Sequence, residues 1–589
     1  MNSPDPAQPG LSSAFDSPIA PSSMPPSTPS TRDNVSARLS ASARLVPDQP
    51  ALIVCDRNGQ ATEQRTFREL DQLVDRLATG LAHMGVEQGH RIVLMVRPGV
   101  EFLAMTFALF RAGAIVVLID PGMGLRKVIT CLEQADPHGF VAVPAVQWAR
   151  CLYRRRFPQA KLNVRVGGLA PSSTSYSRLE RTTPDNSLTP KIESDDPAAI
   201  IFTSGSTGPA KGVEYQHGMF CAQADLLQAR FGIQAEERDL PGFPLFALFN
   251  VTMGVTTVFP DIDPTRPAAV DPSRIVAPIR TQQVNQAFGS PALWDRVGRH
   301  CRKHNITLPS LTRVLSAGAP VPPDVVESIR EALTDDSADI HTPYGATEAL
   351  PVAVISGHDI LKHTAASSAQ GKGTCVGTLF PEVDVRIIEI DDEPIPNFQD
   401  LTILDDGQIG EILVRGPSVT TSYFRRDSDT RAAKVRDQDT TWHRMGDVGY
   451  LDDIGRLWFC GRKAHRVQTE TETLFSVPCE AIFNQHTDVR RSALVGLGQP
   501  PHQKPAIVIE RHRNDESGTQ LARELQQTAA GSTLTDSIPL LLFHDNFPVD
   551  IRHNVKINRE QLAEWAANCV ARCKSPGNDS IVHHLARAV

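Results

Sequence analysis

The chain lacks the sequence features of several classes of protein. Its ten cysteines include no C-x-x-C pair, so neither a zinc site nor a disulfide framework is indicated. Its most hydrophobic stretch, residues 102–119, is interrupted by Arg111 and Gly113, whereas a membrane span needs about 20 apolar residues. Positive charge is not in excess: the formal net charge of −8 argues against binding to nucleic acid. We therefore expect a cytoplasmic protein with no membrane span and no nucleic-acid partner.

The N-terminus has few residues that could build a core. Residues 1–34 are rich in Pro and Ser and have neither a basic start nor a continuous apolar segment. This composition predicts a disordered leader rather than a secretory signal. The 589 residues are enough for at least two domains, since domains of about 100–150 residues are the most common.

After the leader, the pattern alternates between helices and strands. Thr66 and Glu69 form a capping box for a helix that should end at Gly85, and a second helix is expected over residues 100–111. Apolar strands are expected at residues 91–96, 114–119 and 198–202. This order predicts a parallel sheet that is covered by helices.

Further along the chain the pattern changes. Short strands with Gly-rich turns at residues 401–424 indicate a small β-barrel-like subdomain or a distorted sheet. A polar stretch after Lys463 indicates a domain boundary. The predicted fold class is therefore α/β. A large N-terminal domain (35–463) would contain stacked, mostly parallel sheets with helices, plus the barrel-like subdomain, and a small α+β C-terminal domain (464–589) would follow.

Two segments have the composition of a nucleotide site. Residues 203–213, TSGSTGPAKGV, directly follow a predicted strand, and their backbone N–H groups can surround phosphate oxygens while Lys211 adds positive charge. They do not fit the Walker A motif, and a flexible surface loop is the alternative. In residues 344–348, YGATE, Tyr344 can stack on a base, Thr347 can donate to a phosphate and Glu348 can hold Mg²⁺. A plain turn is the alternative for this segment.

Three single residues extend this set. Asp447 can accept hydrogen bonds from both hydroxyls of a ribose, and Arg462 can contact the ribose or a phosphate. Both residues would also fit a simple hairpin. Lys556 lies near the C-terminus, where a lone lysine is usually solvated surface.

The order of these motifs resembles the adenylate-forming superfamily, which contains acyl-CoA synthetases, luciferases and peptide-synthetase adenylation domains. The likeness covers residues 40–565 and includes TFRELDQLVDRLATGLAHMGV and AGAIVVLIDP. It implies an ATP-dependent, Mg²⁺-dependent ligase in which a carboxylate attacks the α-phosphate of ATP and releases pyrophosphate. It also implies that residues 35–463 are the adenylation domain and that residues 464–589 form a mobile domain.

The resemblance implies a role for each matched residue. The implied nucleotide-binding residues are Thr203, Ser204, Gly205, Ser206, Thr207, Gly208, Gly318, Tyr344, Gly345, Asp447 and Arg462. The implied catalytic residues are Lys211, Thr347 and Lys556, which would screen the two anionic reactants from each other. The implied magnesium ligand is Glu348. His553 is a candidate base beside Lys556, although an ordering role for the local backbone is the simpler interpretation.

Within the superfamily, residues 118–124, 344–351 and 552–557 look like the β-lactone synthetases of bacterial long-chain olefin biosynthesis. That likeness implies a 2-alkyl-3-hydroxy fatty acid substrate, whose own hydroxyl closes the lactone and expels AMP, and an association with other olefin-pathway enzymes. Ala247 stands where many relatives have His, and Ala464 where they have a hinge Asp or Lys. Residues 467–473 replace the usual I-K-x-x-G. These departures argue against capture of the acyl group by coenzyme A.

Three other functions remain open at this point. A fatty acyl-CoA or acyl-AMP ligase would turn over fatty acids that lack the hydroxyl. A non-catalytic adenylate-binding scaffold would not need Lys556. A stand-alone peptide-synthetase adenylation domain would hold its substrate's amino group with an Asp, and residues 283–290 contain none.

Overall fold

A computed structural model describes residues 34–202, 210–512, 518–549 and 557–572. The helices of this part are α1 Val35–Leu45, α2 Phe67–His83, α3 Val100–Arg111, α4 Leu125–Ala135, α5 Pro144–Leu152, α6 Tyr176–Glu180, α7 His217–Phe231, α8 Ala247–Thr252, α9 Ser273–Thr281, α10 Pro291–His304, α11 Pro323–Ala332, α12 Gly357–Asp359, α13 Ala365–Ala369, α14 Asp427–Ala433, α15 Ser476–Phe483, α16 Gly518–Ala530 and α17 Arg559–Arg572.

The strands are β1 Pro50–Cys55, β2 Ala61–Thr66, β3 Arg91–Met95, β4 Ile115–Ile119, β5 Gly139–Ala142, β6 Leu162–Arg165, β7 Thr174–Ser175, β8 Pro197–Phe202, β9 Gly212–Gln216, β10 Arg238–Pro241, β11 Thr256–Phe259, β12 Gln286–Gly289, β13 Arg313–Ser316, β14 Asp339–Ala346, β15 Ala349–Ser356, β16 Thr374–Leu379, β17 Asp384–Ile388, β18 Gly410–Arg415, β19 Lys434–Asp437, β20 Thr440–Leu451, β21 Leu457–Arg462, β22 Val467–Gln468, β23 Thr473–Leu474, β24 Val489–Leu497, β25 Lys504–Arg511 and β26 Leu540–Phe543.

The first large sheet has seven strands in the order β7-β6-β5-β3-β4-β8-β9. All neighbours are parallel except β8 and β9. Ile92 packs into one core with α1–α3, whereas the next residue, Val93, packs into another core with α4. This alternation buries both faces of the sheet, as the uninterrupted apolar strands predicted.

Local signals placed the helices of this sheet accurately. The side chain of Thr66 accepts from the backbone N–H of Glu69, whose carboxylate accepts from the N–H of Thr66, so the capping box is present. Helix α3 has the predicted limits. The predicted strands at 91–96, 114–119 and 198–202 are β3, β4 and β8, each within one residue of those limits.

The second large sheet has fourteen strands. Its path runs β17-β18-β20-β21-β16-β15-β14-β13-β12-β10-β11-β1-β2, with β19 paired to β20. The segment from β14 to β1 is parallel, and the segment from β15 to β17 is antiparallel. That antiparallel segment is the predicted barrel-like subdomain. Among the described residues its strands continue the large sheet and do not form a closed ring.

A small α+β unit follows the second sheet. Strands β24, β25 and β26 form a three-stranded sheet, and separate apolar cores cover its two faces. Gly461, the last residue but one of β21, lies directly against Ser476, the first residue of α15. The mixed α/β fold with a small C-terminal unit is as predicted, and the limits 35–463 and 464–589 stay predictions. In the part of the chain that the structure describes, no helix is long and apolar enough to cross a membrane.

Candidate active site

The YGATE segment lies at the tip of a hairpin. Strand β14 ends at Ala346 and pairs antiparallel with β15, so Thr347 and Glu348 form the turn between them. A side chain at Gly345 would place its Cβ 2.7 Å from the carbonyl oxygen of Ala349, so only glycine fits there. The segment therefore contains a turn, as the plain-turn interpretation predicted, and the nucleotide-binding roles of its side chains stay predictions.

Gly318 lies next to this hairpin. It follows β13, which runs parallel to β14, so both strands end at the same edge of the sheet. Its φ of +97° lies in the region that favours glycine. The structure therefore brings Gly318 and the hairpin to the same edge of the second sheet.

Asp447 links Arg462 and Tyr344 into one group through an ion pair and a hydrogen bond. Asp447 and Arg462 are cross-strand neighbours on β20 and β21, and Arg462 Nη1 lies 2.9 Å from Asp447 Oδ1. The hydroxyl of Tyr344 donates to Asp447 Oδ2 at 2.7 Å. Asp447 is buried, with 3% of its surface exposed.

The electrostatics of this group fix its protonation. Asp447 is the main cause of the raised pKa of Arg462. Burial, followed by the charge of Asp447, raises the pKa of Tyr344. The tyrosine therefore stays a donor at neutral pH, and the carboxylate is held by a phenol and a guanidinium.

A second group surrounds Glu348. The hydroxyl of Tyr423 donates to Glu348 Oε1 at 2.8 Å. The backbone N–H and the hydroxyl of Thr420 donate to the carbonyl oxygen of Glu348 at 2.9 and 3.1 Å. Burial and the charge of Glu348 raise the pKa of Tyr423, so this tyrosine also stays protonated. The segment from Thr420 to Tyr423 thus fixes both the backbone and the carboxylate of Glu348.

Two lysines approach the ring of Tyr423. Lys211 Nζ lies 5.1 Å from the ring centroid and 2.8 Å from Asp429 Oδ1. Lys434 Nζ lies 6.0 Å from the centroid and donates to the carbonyl oxygen and the hydroxyl of Thr420. Burial lowers the pKa of Lys434 to about 7. The structure therefore brings Lys211 into the same neighbourhood as Glu348.

Strand β9 of the first sheet supports the hairpin of the second. The hydroxyl of Tyr215 on β9 donates to the carbonyl oxygen of Thr347 at 2.5 Å. Val213 forms an isolated bridge with Tyr423, and the N–H of Phe424 donates to the carbonyl oxygen of Gly212 at 2.8 Å. The site therefore lies where the two large sheets meet.

Sequence reasoning missed four residues of this neighbourhood. They are Tyr215, Tyr423, Asp429 and Lys434. Each lies more than 70 positions from the YGATE segment, so no local motif connects them to it. The only usable signal was the Ser-Tyr-Phe segment at 422–424 after β18, which the pattern marked only as part of the strand-rich region.

Some predicted residues cannot be placed. Thr203, Ser204, Gly205, Ser206, Thr207 and Gly208 lie outside the described residues, as do His553 and Lys556. No cluster of three or more His, Cys, Asp or Glu side chains that could hold a metal occurs in residues 34–202, 210–512, 518–549 and 557–572. A lone Glu348 still fits Mg²⁺, which proteins usually bind through one or two carboxylates together with substrate phosphates.

Known proteins resemble this chain in sequence and in fold. Residues 39–424 match the family model of the AMP-binding enzymes. An olefin beta-lactone synthetase of Stenotrophomonas maltophilia (strain K279a) is 46% identical over 547 residues, which are 91% of this chain and 98% of that relative.

Two solved structures share the fold. The amide bond synthetase McbA from Marinactinospora thermotolerans has a TM-score of 0.74 at 20% identity, covering 90% of this chain and 99% of that one. The o-succinylbenzoate coenzyme A synthetase (MenE) from Bacillus subtilis, in complex with ATP and magnesium ion, has a TM-score of 0.69 at 21% identity, covering 89% of this chain and 98% of that one. The chain belongs to the AMP-binding enzyme family, whose members use ATP to form acyl-adenylates.

Proposed function

We propose that this protein is an ATP- and Mg²⁺-dependent β-lactone synthetase that acts on 2-alkyl-3-hydroxy fatty acids. The observation that carries the proposal is the likeness to a named olefin beta-lactone synthetase along nearly the whole chain. We further propose that the enzyme works in the cytoplasm, together with other enzymes of olefin formation. Far more distant similarity to enzymes that use coenzyme A does not outweigh this likeness.

The first half-reaction joins the acid to AMP. A carboxylate oxygen of the substrate attacks the α-phosphorus, a new P–O bond forms and pyrophosphate leaves. Two anions must approach each other in this step, so positive groups are needed where charge accumulates. Lys211 and Arg462 supply such charge among the described residues, and Lys556 would supply it from the C-terminal unit. Magnesium, held by Glu348 and the phosphates, would neutralise charge on the leaving pyrophosphate.

Asp447 and its partners would hold the ribose. Its carboxylate is buried beside Arg462 and Tyr344, so its acceptor oxygens are fixed in direction. A fixed carboxylate is suited to two neighbouring hydroxyls, because both can donate to it. The ring of Tyr344 would lie against the adenine while its hydroxyl keeps Asp447 in place. Thr347, in the neighbouring turn, would donate to the α-phosphate.

The second half-reaction needs no external nucleophile. The 3-hydroxyl oxygen of the substrate attacks its own acyl carbon, the bond from that carbon to AMP breaks, and the hydroxyl proton is lost to a base. His553 is our candidate for that base. The attacking group is already tethered to the acyl carbon, so intramolecular reaction replaces the binding of a second substrate.

The acyl chains would lie against an aromatic group near the same sheet edge. Phe246 stacks on Phe288 with ring centroids 3.8 Å apart, and Phe243 and Phe249 contact Phe246 edge-on. Phe288 is on β12, which lies beside β13 in the parallel sheet and ends at the same edge as Gly318. Ala247, which directly follows Phe246, is fully buried.

The product formed without coenzyme A tests the proposal. The purified full-length protein is incubated with ATP, Mg²⁺ and a 2-alkyl-3-hydroxy acid, and the products are identified by mass spectrometry. We expect AMP, pyrophosphate and a β-lactone whose mass is that of the acid less one water. The same acid without its 3-hydroxyl is the matched control and should give acyl-adenylate but no lactone.

Two results would contradict the proposed function. Failure to form lactone, combined with thioester formation once coenzyme A is added, would identify an acyl-CoA ligase instead. A Lys556→Ala variant that adenylates as well as the wild type would remove the proposed role of that lysine. We expect this variant to lose adenylation and to keep most of its affinity for ATP.

A further inference from the structure

We propose that the outer face of α5, together with the loop after β6, binds the surface of an anionic lipid bilayer. The contact would be made by three apolar side chains, Trp148, Leu152 and Leu169, which we call the α5 stripe, and by the basic residues that follow it. This proposal concerns a surface away from the nucleotide site, and it does not depend on which acid the enzyme uses.

The α5 stripe is a continuous row of exposed apolar groups. Trp148, Leu152 and Leu169 are 59%, 79% and 84% exposed. Pro144, Trp148 and Leu152 are four residues apart and therefore line up along one face of the helix. A Cβ on Gly168 would lie 3.0 Å from Pro144 Cγ, so the loop that carries Leu169 passes beside the first turn of this helix. Single exposed apolar residues are common on soluble proteins, but a contiguous row indicates a contact surface.

The helix is firmly fixed on its inner side. Gln147 is fully buried, and its amide donates to the carbonyl oxygens of Phe140 and Val164 at 3.0 and 2.9 Å. Arg150 donates to Gln147 and to the carbonyl oxygen of Ser172. The polar residues of α5 point inward and are hydrogen-bonded there. The apolar residues that face outward therefore do not contribute to the packing of the core.

The chain segment that carries the stripe has charged side chains of one sign. Residues 137–179 contain seven Arg or Lys and no Asp or Glu, although the chain as a whole has a net charge of −8. Arg150 and Arg165 donate to backbone carbonyls, and Arg156 pairs with Glu133. Arg154 and Arg155, immediately after the helix, are exposed, as is Lys161. A basic region next to exposed apolar groups is complementary to an anionic partner.

An anionic bilayer fits this combination better than an acidic protein. Trp is the residue that membrane interfaces favour, because its ring is amphipathic, and adjacent Arg and Lys add attraction to acidic headgroups. The nine residues of α5 are too few to cross a bilayer, so the helix would lie in the interface. If the substrate is a fatty acid with two alkyl chains, as proposed above, such a surface is also where it would accumulate.

Vesicle co-sedimentation of the full-length protein tests the proposal. Phosphatidylcholine vesicles are compared with vesicles that also contain phosphatidylglycerol, at low and high salt. We expect binding to the phosphatidylglycerol vesicles that high salt weakens, because exposed charges are screened. A Trp148→Ser/Leu152→Ser/Leu169→Ser variant should bind at least tenfold more weakly. An Arg154→Gln/Arg155→Gln variant should lose about fivefold in binding for each charge removed.

A matched control uses exposed apolar residues elsewhere. Leu45 and Ile454 are 69% and 67% exposed, so the Leu45→Ser/Ile454→Ser variant removes exposed apolar groups away from the stripe and should bind like the wild type. Fluorescence gives a second readout, since Trp294, Trp442 and Trp458 are buried and Trp565 is partly buried. A blue shift on adding vesicles that Trp148→Phe abolishes would support the proposal. Absence of binding by the wild type would overturn it. So would equal binding by the stripe variant, or self-association through the stripe without vesicle binding.

Discussion

The hydroxyl of Tyr423 donates a 2.8 Å hydrogen bond to the carboxylate of Glu348, which lies 75 residues earlier in the chain. The bond joins the hairpin turn of the second sheet to the segment that follows β18. Glu348 is our proposed ligand for Mg²⁺, and a ligating carboxylate binds more tightly when a neighbouring donor fixes its direction. Tyr423 is therefore a positioning residue in this proposal.

Replacing Tyr423 by Phe should raise the magnesium requirement. The ring, and its contacts with Lys211 and Lys434, would remain, but Glu348 would lose the donor that orients it. We expect the Mg²⁺ concentration for half-maximal pyrophosphate exchange to rise about tenfold or more, while the maximal rate at saturating Mg²⁺ changes less. The measurement is a magnesium titration of ATP–pyrophosphate exchange.

Tyr450→Phe is the matched control for this variant. Its hydroxyl donates at 2.8 Å to the carbonyl oxygen of Lys372, away from Glu348. The control variant should show the wild-type magnesium titration. Equal shifts in the two variants would mean that the Tyr423 hydroxyl has no specific role toward Glu348.

The group of Asp447, Arg462 and Tyr344 predicts a graded loss of ATP affinity. Asp447→Asn removes the charge that faces Arg462 and should raise the KM for ATP about 10- to 100-fold, whereas Tyr344→Phe removes one neutral donor and should raise it about two- to tenfold. Steady-state kinetics with ATP as the varied substrate would measure both. Asp452→Asn is the control, because Asp452 also accepts from an arginine and an aromatic ring N–H, but at the opposite end of the same strand pair. If Asp452→Asn raises the KM equally, the effect is one of stability and not of nucleotide binding.

Sequence reasoning succeeded here where the cause is local. The limits of α3 and the capping box at Thr66 depend on residues within one or two helical turns, so pattern alone was enough. Asp447 and Arg462 could each be selected by their motifs. The contact of both with Tyr344 could not be derived, because it depends on how strands more than 100 residues apart come together.

Lys434 shows most clearly what could not be predicted from the sequence. A lysine in a polar segment is expected at the surface, yet the pairing of β19 with β20 places this one next to Tyr423 with only 7% of its surface exposed. Nothing in residues 427–437 signals that burial, since it arises from the tertiary pairing of strands. Prediction from sequence therefore named residues with assigned chemistry and missed those that hold them in place.

Burial of Lys434 predicts a pH-dependent stability. Its pKa is lowered from the usual 10.5 to about 7 by burial, so above pH 7 the folded state releases a proton that the unfolded state still binds. The contribution of Lys434 to the unfolding free energy should then rise with pH by up to about 1.4 kcal/mol per pH unit between pH 7 and about pH 10. Lys434→Met should lack this gain. Denaturant unfolding at pH 7, 8 and 9 measures the difference between the two proteins.

The exposed Lys362 provides the control for that experiment. The difference in unfolding free energy between Lys362→Met and the wild type should be the same at the three pH values. Burial disfavours the charged form of Lys434 in the folded protein. The unfolding free energy of Lys434→Met should therefore exceed that of the wild type by the largest amount at pH 7. If the difference in unfolding free energy between Lys434→Met and the wild type stays constant from pH 7 to pH 9, the lowered pKa of Lys434 is contradicted.

A side chain at position 461 should destabilise the protein by steric overlap, and this effect can be measured separately from backbone strain. Its φ is +131°, and a Cβ there would lie 2.4 Å from Ser476 Oγ at the beginning of α15. Gly455 has a φ of +78°, and no atom lies within 4 Å of the position that a Cβ would take there. Gly455→Ala should therefore cost only the backbone strain of about 1 kcal/mol, while Gly461→Ala should cost about 1–3 kcal/mol more from the overlap.

Removing the obstructing atom distinguishes the two causes. Ser476→Ala deletes Oγ, and the remaining Cβ lies 3.6 Å from the new methyl group, an ordinary contact distance. The Gly461→Ala/Ser476→Ala double variant should therefore recover most of the loss that the overlap causes and keep the loss that comes from backbone strain at position 461. Because Arg462 follows Gly461 directly, the single variant should also raise the KM for ATP, and the double variant should restore it. A double variant as unstable as the single one would place the whole cost in the backbone of Gly461 and not in its contact with α15.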